Sequence, residues 1–469
     1  MSCKKRKKNG LLLLALTCVL LAGAAPVAFV SLMPQAGAAE VTNADVDAGG
    51  GAYPGAPSAS DAANAAAAAA NTSAAAKPLS ADNGQGAQTA DAGQTAAPAV
   101  NNVTVTANST LSPAFSPTPE PVLTAKISFT GDLMVHSWQA DAAYDKSDGG
   151  YDFNHEFDWV RDDLSASDFT VGNLETTFAG TGFSDFPCFC APDSFADALV
   201  NAGFDFVTTA NNHCNDKRTS GILRTLDVLD AAGLAHAGTY RSAQEQNQTY
   251  TVDINGIKFA FLSYTYSTNG IPIQSGMPYL VNVLDKQLIK DQIDRAKALD
   301  PDVIVILPHM GVEYTTAPTQ DAMDWAQYML DCGADVVVAS HPHVIQTVTA
   351  GPDGIIAYSM GNFVSCQRDV PRDYGMILNL EFQKTGDAKA VCVKASFVPT
   401  WVKFVNSKGA YDIQTLPVYD AIENYNADNS MLIRAKDYQR LLAVNKEITA
   451  KLLGAAQGPE REYVLYERP

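Results

Sequence analysis

The chain has 469 residues, too many for one ordinary domain, and a formal net charge of −19. This acidic excess argues against nucleic-acid binding and suits a body that lies outside the cytoplasm. Two of the eight cysteines lie near the N-terminus, and a core this large does not require disulfides, so no particular bridge is predicted.

The N-terminus carries the pattern of a membrane-directing segment. A basic cluster, Lys4–Lys8, precedes an uncharged apolar stretch, Leu11–Met33, and such a basic flank stays in the cytoplasm. The stretch exceeds the roughly 20 residues that span a bilayer. Residues 1–35 are therefore predicted to be a signal-anchor or transmembrane segment, with the globular domain extracytoplasmic. Cleavage at the small residues near Ala38 would instead release the chain.

Residues 36–122 form a low-complexity segment rich in Ala, Pro, Ser, Thr and Asn. Because it contains few large apolar residues, it cannot bury enough surface to offset the entropy of ordering. We predict a disordered linker with a mean reach of about 50 Å by random-coil scaling. It would hold the following domain away from the membrane.

Alternating strand and helix patterns begin near Leu123 and continue to residue 405. Helical spacing predicts helices at Ser194–Ala202 and Leu223–Ala232, each followed by a glycine suited to a helix C-terminus. The run Tyr250–Tyr264 predicts a hairpin that turns at Asn255-Gly256. This alternation indicates two packed sheets flanked by helices. Residues 406–469 are predicted to be a helical extension.

Five β-branched, apolar runs end in residues that can bind metal ions. They lead into Asp132, into Glu175, into Asn212 and His213, into His309, and into His341 and His343. A hydrophobic strand needs no polar terminus for packing, whereas parallel strands deliver their carboxyl ends to one crevice. We therefore predict that these side chains converge on a single metal site.

Each of these residues also has a structural interpretation. A loop Asp can cap a helix, a lone Glu can form a surface ion pair, and an Asn can form an Asx-turn. The set as a whole supplies oxygen and nitrogen ligands without thiolates, which favours two ions of Mn²⁺, Fe or Zn²⁺. His213 could donate a proton to a leaving group. His136 and Glu313 are possible additional ligands.

In chain order, these motifs resemble those of the poly-γ-glutamate capsule biosynthesis protein family, CapA, of the calcineurin-like metallophosphatase superfamily. The resemblance covers residues 126–404. It is carried by GDLM at 131–134, GNLET at 172–176, ANNH at 210–213, HMGVEY at 309–314, SHPHV at 340–344 and YSMGNFV at 358–364. It implies a four-layer α/β/β/α sandwich with a two-metal centre.

The resemblance also implies a role for each matching residue. Asp132 and His343 would bind the first metal and Glu175 would bridge both. Asn212, His309 and His341 would bind the second metal, and His213 would be the catalytic histidine. The chain departs from the wider phosphatase pattern in two places, since the first motif lacks an Asp-x-His pair and Glu175 replaces a bridging Asp.

The sequence thus predicts a membrane-anchored, two-metal, phosphoesterase-like protein that acts in poly-γ-glutamate capsule or cell-envelope polymer biosynthesis. Expected partners are the membrane and components of poly-γ-glutamate synthesis or export. The two departures leave two alternatives open. One is a non-catalytic, metal-containing assembly factor for a polymer synthase or exporter, and the other is a poly-γ-glutamate amide hydrolase.

Overall fold

The computed structural model of the protein describes residues 120–147 and 149–469. The predicted membrane segment, residues 1–35, lies outside the described residues, as does the predicted linker as far as residue 119. Among the residues that are described, no helix combines the length and the apolar character needed to cross a membrane.

The described part of the chain contains fifteen strands. In chain order they are β1 (Val122–Leu133), β2 (Phe169–Leu174), β3 (Phe206–Thr208), β4 (Ala235–Ala237), β5 (Tyr250–Ile254), β6 (Ile257–Thr265), β7 (Val303–His309), β8 (Val336–Val338), β9 (Val348–Gly351), β10 (Gly354–Ala357), β11 (Asn362–Val364), β12 (Tyr374–Thr385), β13 (Val391–Ser407), β14 (Ala410–Pro417) and β15 (Tyr463–Glu467).

Nine α-helices lie in the same described residues. They are α1 (Ser137–Ala143), α2 (Arg161–Ser165), α3 (Ser194–Ala202), α4 (Arg218–Ala232), α5 (Ala243–Gln246), α6 (Lys286–Ala298), α7 (Gln320–Cys332), α8 (Val418–Ala427) and α9 (Ala435–Leu453). Gly203 and Gly233 follow α3 and α4 in the left-handed conformation, as their positions in the sequence predict.

The strands form two sheets. The nine-stranded sheet has the order β14-β13-β12-β1-β2-β3-β4, with β11 paired to β1 and β15 paired to β13; the six-stranded sheet has the order β5-β6-β7-β8-β10-β9. Strands β1 to β4 run parallel, as do β6, β7, β8 and β10. Each sheet therefore gathers the carboxyl ends of several strands at one edge.

Alternating side chains along the strands build three layers of packing. In β6, Phe259 and Phe261 join a core shared by both sheets, whereas Ala260 and Leu262 face a cluster that includes residues of α6 and α7. In β3, Phe206 joins the shared core, and Val207 packs in a cluster with residues of α1 and α3. This is the period of two expected for strands buried on both faces. The predicted mixed α/β sandwich is confirmed.

The C-terminal residues differ from the predicted helical extension. The predicted boundary at residue 405 falls inside β13, and β14 and β15 both pair with that strand. Helices α8 and α9 contribute Ile422, Leu441 and Val444 to the shared core. The strand signal of β14 is weak because the segment carries only two branched apolar side chains, Ile413 and Leu416, so pairing rather than local propensity decides its structure.

Gly131 allows β1 to approach the chain before β11 closely. A Cβ atom added at Gly131 would lie 1.8 Å from the carbonyl oxygen of Gly361, which accepts the backbone N–H of Asp132. We expect Gly131→Ala to lower the free energy of unfolding by about 3 kcal/mol, because a backbone atom cannot rotate away. Gly351→Ala is the matched control, since its Cβ would meet nothing within 4 Å. Urea unfolding would compare the two, and equal stabilities would contradict the expectation.

Candidate metal centre

The predicted ligands all lie at or just beyond strand ends. Asp132 lies near the end of β1 and Glu175 directly follows β2. His309 is the last residue of β7, while His341 and His343 follow β8. All five side chains are buried. The two sheets thus bring together residues that are far apart in the sequence.

The buried carboxylates and imidazoles form two groups, each able to hold a metal ion. Asp132, Glu175 and His343 form one group, and Glu175, His309 and His341 form the other. Within each group, one ligand atom per residue lies within 4.8 Å of the others. Glu175 belongs to both groups, which is the position of a carboxylate that bridges two cations.

Unpartnered polar atoms show that these residues fit cations. Oε1 of Glu175 is buried without a hydrogen-bond partner among the described residues, and so is Nδ1 of His341. Oε1 lies 3.7 Å from Nε2 of His309 and 3.6 Å from Nε2 of His343. Burying such atoms without a partner costs free energy, and coordination would offset that cost. The donors are the oxygen and imidazole ligands that Mn²⁺, Fe and Zn²⁺ accept.

Burial shifts the pKa values of the clustered ligands, and the neutral imidazoles that result suit a metal site. Burial and the charge of Asp132 raise the pKa of Glu175 well above its usual range. Burial and the neighbouring histidines lower the pKa of His309 well below its usual range. Burial, followed by the effect of His343, lowers the pKa of His341 to about 3. The two imidazoles are therefore neutral, which is the form that binds metals.

Three polar residues orient the ligands. The Asn173 amide donates to Oδ1 of Asp132 at 2.8 Å and to Oε2 of Glu175 at 3.3 Å. Oγ of Ser340 lies 2.9 Å from Nδ1 of His309, which directs Nε2 of that ring toward Glu175. The sequence patterns assign no role to Asn173 or Ser340. Their place inside the GNLET and SHPHV motifs was the available signal, because metal ligands are usually oriented by hydrogen bonds from other polar residues.

The third orienting residue is Asn362, whose Oδ1 lies 3.0 Å from Nδ1 of His343. Oδ2 of Asp132 lies at the same distance from that nitrogen. Nε2 of His343 is then the ring atom directed toward Glu175. Asn362 lies in the YSMGNFV motif, but nothing in the local sequence shows that β11 pairs with β1 and places it here.

The backbone of the His-x-His pair differs from the expectation. The sequence predicts that His341 and His343 project to the same side of an extended strand. Instead, both residues are left-handed, with φ of 106° and 58°, and their side chains join different groups. Such a conformation is costly for residues other than glycine and persists where surrounding contacts enforce it. Here it directs the two rings into different ligand groups.

In the loop after β3, one asparagine forms an Asx-turn and the next lies among the candidate metal ligands. Asn211 forms the Asx-turn, since its Oδ1 accepts the backbone N–H of His213 at 3.1 Å. Asn212 instead points into the site, where its Oδ1 lies 2.9 Å from Nε2 of His309. Nδ1 of His213 lies 2.8 Å from Oδ2 of Asp216, which also accepts the backbone N–H of Phe189 at 2.7 Å. His213 is therefore held by a buried carboxylate.

Comparison with known proteins identifies the family. Residues 126–367, just over half of the chain, match the family described as bacterial capsule synthesis protein PGA_cap. The chain belongs to this family. It is 32% identical over 180 residues to the capsule biosynthesis protein CapA of Bacillus anthracis, which covers 37% of this chain and 43% of that protein.

A second family relative is the PGA biosynthesis protein CapA of Bacillus subtilis strain 168. It is 27% identical over 243 residues, covering 50% of this chain and 62% of the relative. The matches thus span less than two thirds of either relative. Similar solved structures include a Haemophilus influenzae NAD nucleotidase (13% identity, TM-score 0.39, 70% of this chain and 63% of that chain). The Bacillus subtilis calcineurin-like phosphoesterase YfkN is also similar, with 13% identity and a TM-score of 0.33 over 60% of this chain and 91% of that chain. Both likenesses are too distant to support an argument.

In this PGA_cap chain, the two possible additional ligands lie beside the metal-binding groups. His136 caps α1, and its Nδ1 lies 3.3 Å from both the backbone N of Cys366 and Oε1 of Gln139. Glu313 is exposed. Among the described residues, neither joins a group that could hold a metal ion. The sequence spacing placed both near the site but could not show where their side chains point.

Gln139 connects His136 to a buried acid, Glu156. The side-chain amide of Gln139 donates to Oε2 of Glu156 at 3.1 Å. Burial raises the pKa of Glu156 to about 8. The folded chain therefore binds one more proton than the unfolded chain between about pH 4.3 and 8, so this group makes stability fall as pH rises through that window.

We expect Glu156→Gln to remove that pH dependence, because the amide carries no charge. Between pH 4 and pH 9, the free energy of unfolding should fall by roughly 3–5 kcal/mol more in the original chain than in the variant. Urea unfolding at both pH values measures the difference, in which the other titrating groups cancel. An equal loss in both chains would show that Glu156 is ionised in the folded state.

Proposed function

We propose that the chain is an extracytoplasmic, two-metal phosphoesterase-like protein that acts in poly-γ-glutamate capsule or cell-envelope polymer biosynthesis. Membership of the capsule synthesis family supports the biological process. The observation that carries the chemistry is the pair of buried ligand groups that share Glu175. The four-layer α/β/β/α arrangement of calcineurin-like phosphatases is part of this proposal.

The ligand groups divide naturally between two cations. Asp132 and His343 would hold one ion, His309 and His341 would hold the other with Oδ1 of Asn212 close by, and Glu175 would contact both. We propose Mn²⁺, Fe or Zn²⁺, which accept this mixture of carboxylate and imidazole ligands. When bound, such ions polarise a phosphoryl oxygen and lower the pKa of a bound water molecule.

His213 is the group best placed to transfer a proton. Its Nδ1 faces Asp216, so Nδ1–H would donate to that carboxylate, and the neighbour of Nε2 is the amide nitrogen of Asn269 at 3.5 Å. A ring that carries a proton on Nε2 would donate it to the oxygen of the leaving group. Asp216 fixes the orientation of the imidazole. Phe189 packs edge-on against the ring at 4.7 Å and limits its rotation.

The cellular setting is also a proposal. Residues 1–35 would anchor the chain in the cell membrane as a single pass, and residues 36–122 would tether the domain outside the cytoplasm. Cleavage near Ala38 would instead secrete it. The names of the relatives refer to capsule and PGA biosynthesis, so components of poly-γ-glutamate synthesis or export are the proposed partners.

Turnover of small phosphate esters tests the enzymatic function. The purified chain, loaded with Mn²⁺, is expected to hydrolyse para-nitrophenyl phosphate or its diester and to lose that activity when a chelator removes the metal. A chain that binds metal but stays at background turnover would contradict the phosphoesterase proposal and favour an assembly factor. Incubation with purified poly-γ-glutamate tests amide hydrolysis, and an unchanged polymer length would exclude it.

A further inference from the structure

A stack of three side chains lies at the edge of the metal-binding groups. The ring of Tyr314 stacks on His343 with a centroid distance of 6.0 Å and an interplanar angle of 28°. The guanidinium carbon of Arg372 lies 4.3 Å from the centroid of the Tyr314 ring. The Tyr314 ring therefore links a permanent positive charge to a histidine of one ligand group.

Backbone contacts hold Tyr314 and Arg372 in place. Tyr314 is left-handed, with φ of 64°, and its N–H donates to the carbonyl of Pro342 at 2.8 Å. The carbonyl of Arg372 accepts the Asn362 amide at 2.9 Å, and Oδ1 of Asn362 contacts His343. Arg372 is thus tied to His343 by its side chain and by its backbone. This is the construction expected of a positioned binding group rather than of a mobile surface arginine.

The present partner of Arg372 is a weak competitor. The guanidinium donates to Asp369, whose side chain is 85% exposed, whereas that of Arg372 is 18% exposed. Ion pairs with an exposed carboxylate contribute little to stability, because water solvates the acid well when the pair opens. An anion held in place by the metal site could therefore displace Asp369 at small cost.

We propose that Arg372 binds a second anionic group of the substrate, a carboxylate or a phosphate close to the phosphoryl group held at the metals. This inference deepens the proposed function and rests on it. A chain with a formal net charge of −19 repels anionic polymers at long range, so a local cation is needed to accept one. Guanidinium groups bind both carboxylates and phosphates through paired N–H donors. Substrates with an additional anion next to the scissile bond are therefore preferred.

Calorimetric binding to the Mn²⁺-loaded full chain tests the inference without requiring turnover. The probes are phenylphosphonate and para-carboxyphenylphosphonate, which differ by one carboxylate and cannot be hydrolysed as esters. We expect the carboxylate to tighten binding about tenfold, the effect of one good charge-assisted hydrogen-bonding contact. Arg372→Gln should abolish this preference and leave the affinity for phenylphosphonate within about twofold.

Two further variants separate recognition from structure. Asp369→Asn removes the competing carboxylate and should increase the preference by about twofold to threefold. Arg461→Gln removes one positive charge from an exposed arginine that pairs with Asp163 and Asp420, and it should change nothing. A loss of folding caused by Arg372→Gln would lower the affinity for both probes, whereas loss of a subsite affects only one.

The outcomes also distinguish this inference from the proposed function. A preference that survives Arg372→Gln, or that never exists, overturns the subsite. If Arg372→Gln abolishes the preference, the subsite is supported. If the original chain also fails to hydrolyse the matching phosphate esters, the phosphoesterase proposal is contradicted while the subsite stands. No binding of either phosphonate contradicts both.

Discussion

Glu175→Gln is expected to remove most of the capacity of the chain for divalent metal. The carboxylate belongs to both ligand groups, and its Oε1 lies within 3.7 Å of imidazole nitrogens in each. An amide offers one neutral oxygen and cannot bridge two cations in the same way. Titration calorimetry with Mn²⁺ should show two sites in the original chain and at least a hundredfold weaker binding in the variant.

The same substitution should not destabilise the metal-free chain. Burial and Asp132 raise the pKa of Glu175, so this carboxyl is a source of unfavourable free energy when no cation is present. We expect the metal-free variant to melt at an equal or higher temperature, while Mn²⁺ raises the melting temperature of the original chain only. Glu381→Gln, a partly exposed carboxylate paired with Lys394, is the control and should behave as the original in both measurements. Unchanged metal binding in Glu175→Gln would contradict the bridging role.

His213→Ala is expected to lower turnover of a phosphate ester by about 10²–10⁴-fold while metal content stays unchanged. Metal content should not change, because His213 is held by Asp216 and lies outside both ligand groups. Asp216→Asn should cause a smaller loss, because the ring keeps its place but its orientation is less firmly held. Steady-state kinetics, together with elemental analysis of each variant, separates proton transfer from metal loss.

The effect on kcat and KM distinguishes this role from a structural one. A group that acts only in the transition state lowers kcat with little change in KM. His155→Ala provides the control, because His155 is an exposed histidine that pairs with Asp158 and Asp412. A His213→Ala variant with normal kcat would show that the proposed proton donor is elsewhere.

Much of the candidate metal centre could be predicted from the sequence, because its ligands directly follow recognisable apolar strand patterns. Apolar runs such as Val303–His309 are buried along their whole length, and a buried strand that ends in a histidine is recognisable locally. Parallel pairing of β1 and β2 then brings Asp132 and Glu175 together, whereas His309 arrives from the second sheet. Helices with apolar spacing and a following glycine are predictable for the same reason, and α3 has the predicted bounds.

The remaining features depend on contacts between distant residues. Asn362 reaches His343 only because β11 pairs with β1, and Arg372 reaches the site through Tyr314. The strand β14 is stabilised by β13 rather than by its own composition. The left-handed backbone of the His-x-His pair also has no local signal, because neither residue favours that conformation. Each of these features depends on contacts between residues far apart in the sequence, and a local sequence pattern does not reveal such contacts.

Electron paramagnetic resonance of the Mn²⁺-loaded chain tests most directly whether two cations share the carboxylate of Glu175. Two Mn²⁺ ions bridged by Glu175 are expected to give an exchange-coupled spectrum at full loading, which collapses to that of isolated ions in Glu175→Gln. If the fully loaded original chain gives only the spectrum of uncoupled, mononuclear Mn²⁺, or retains no metal, the two-metal account is wrong.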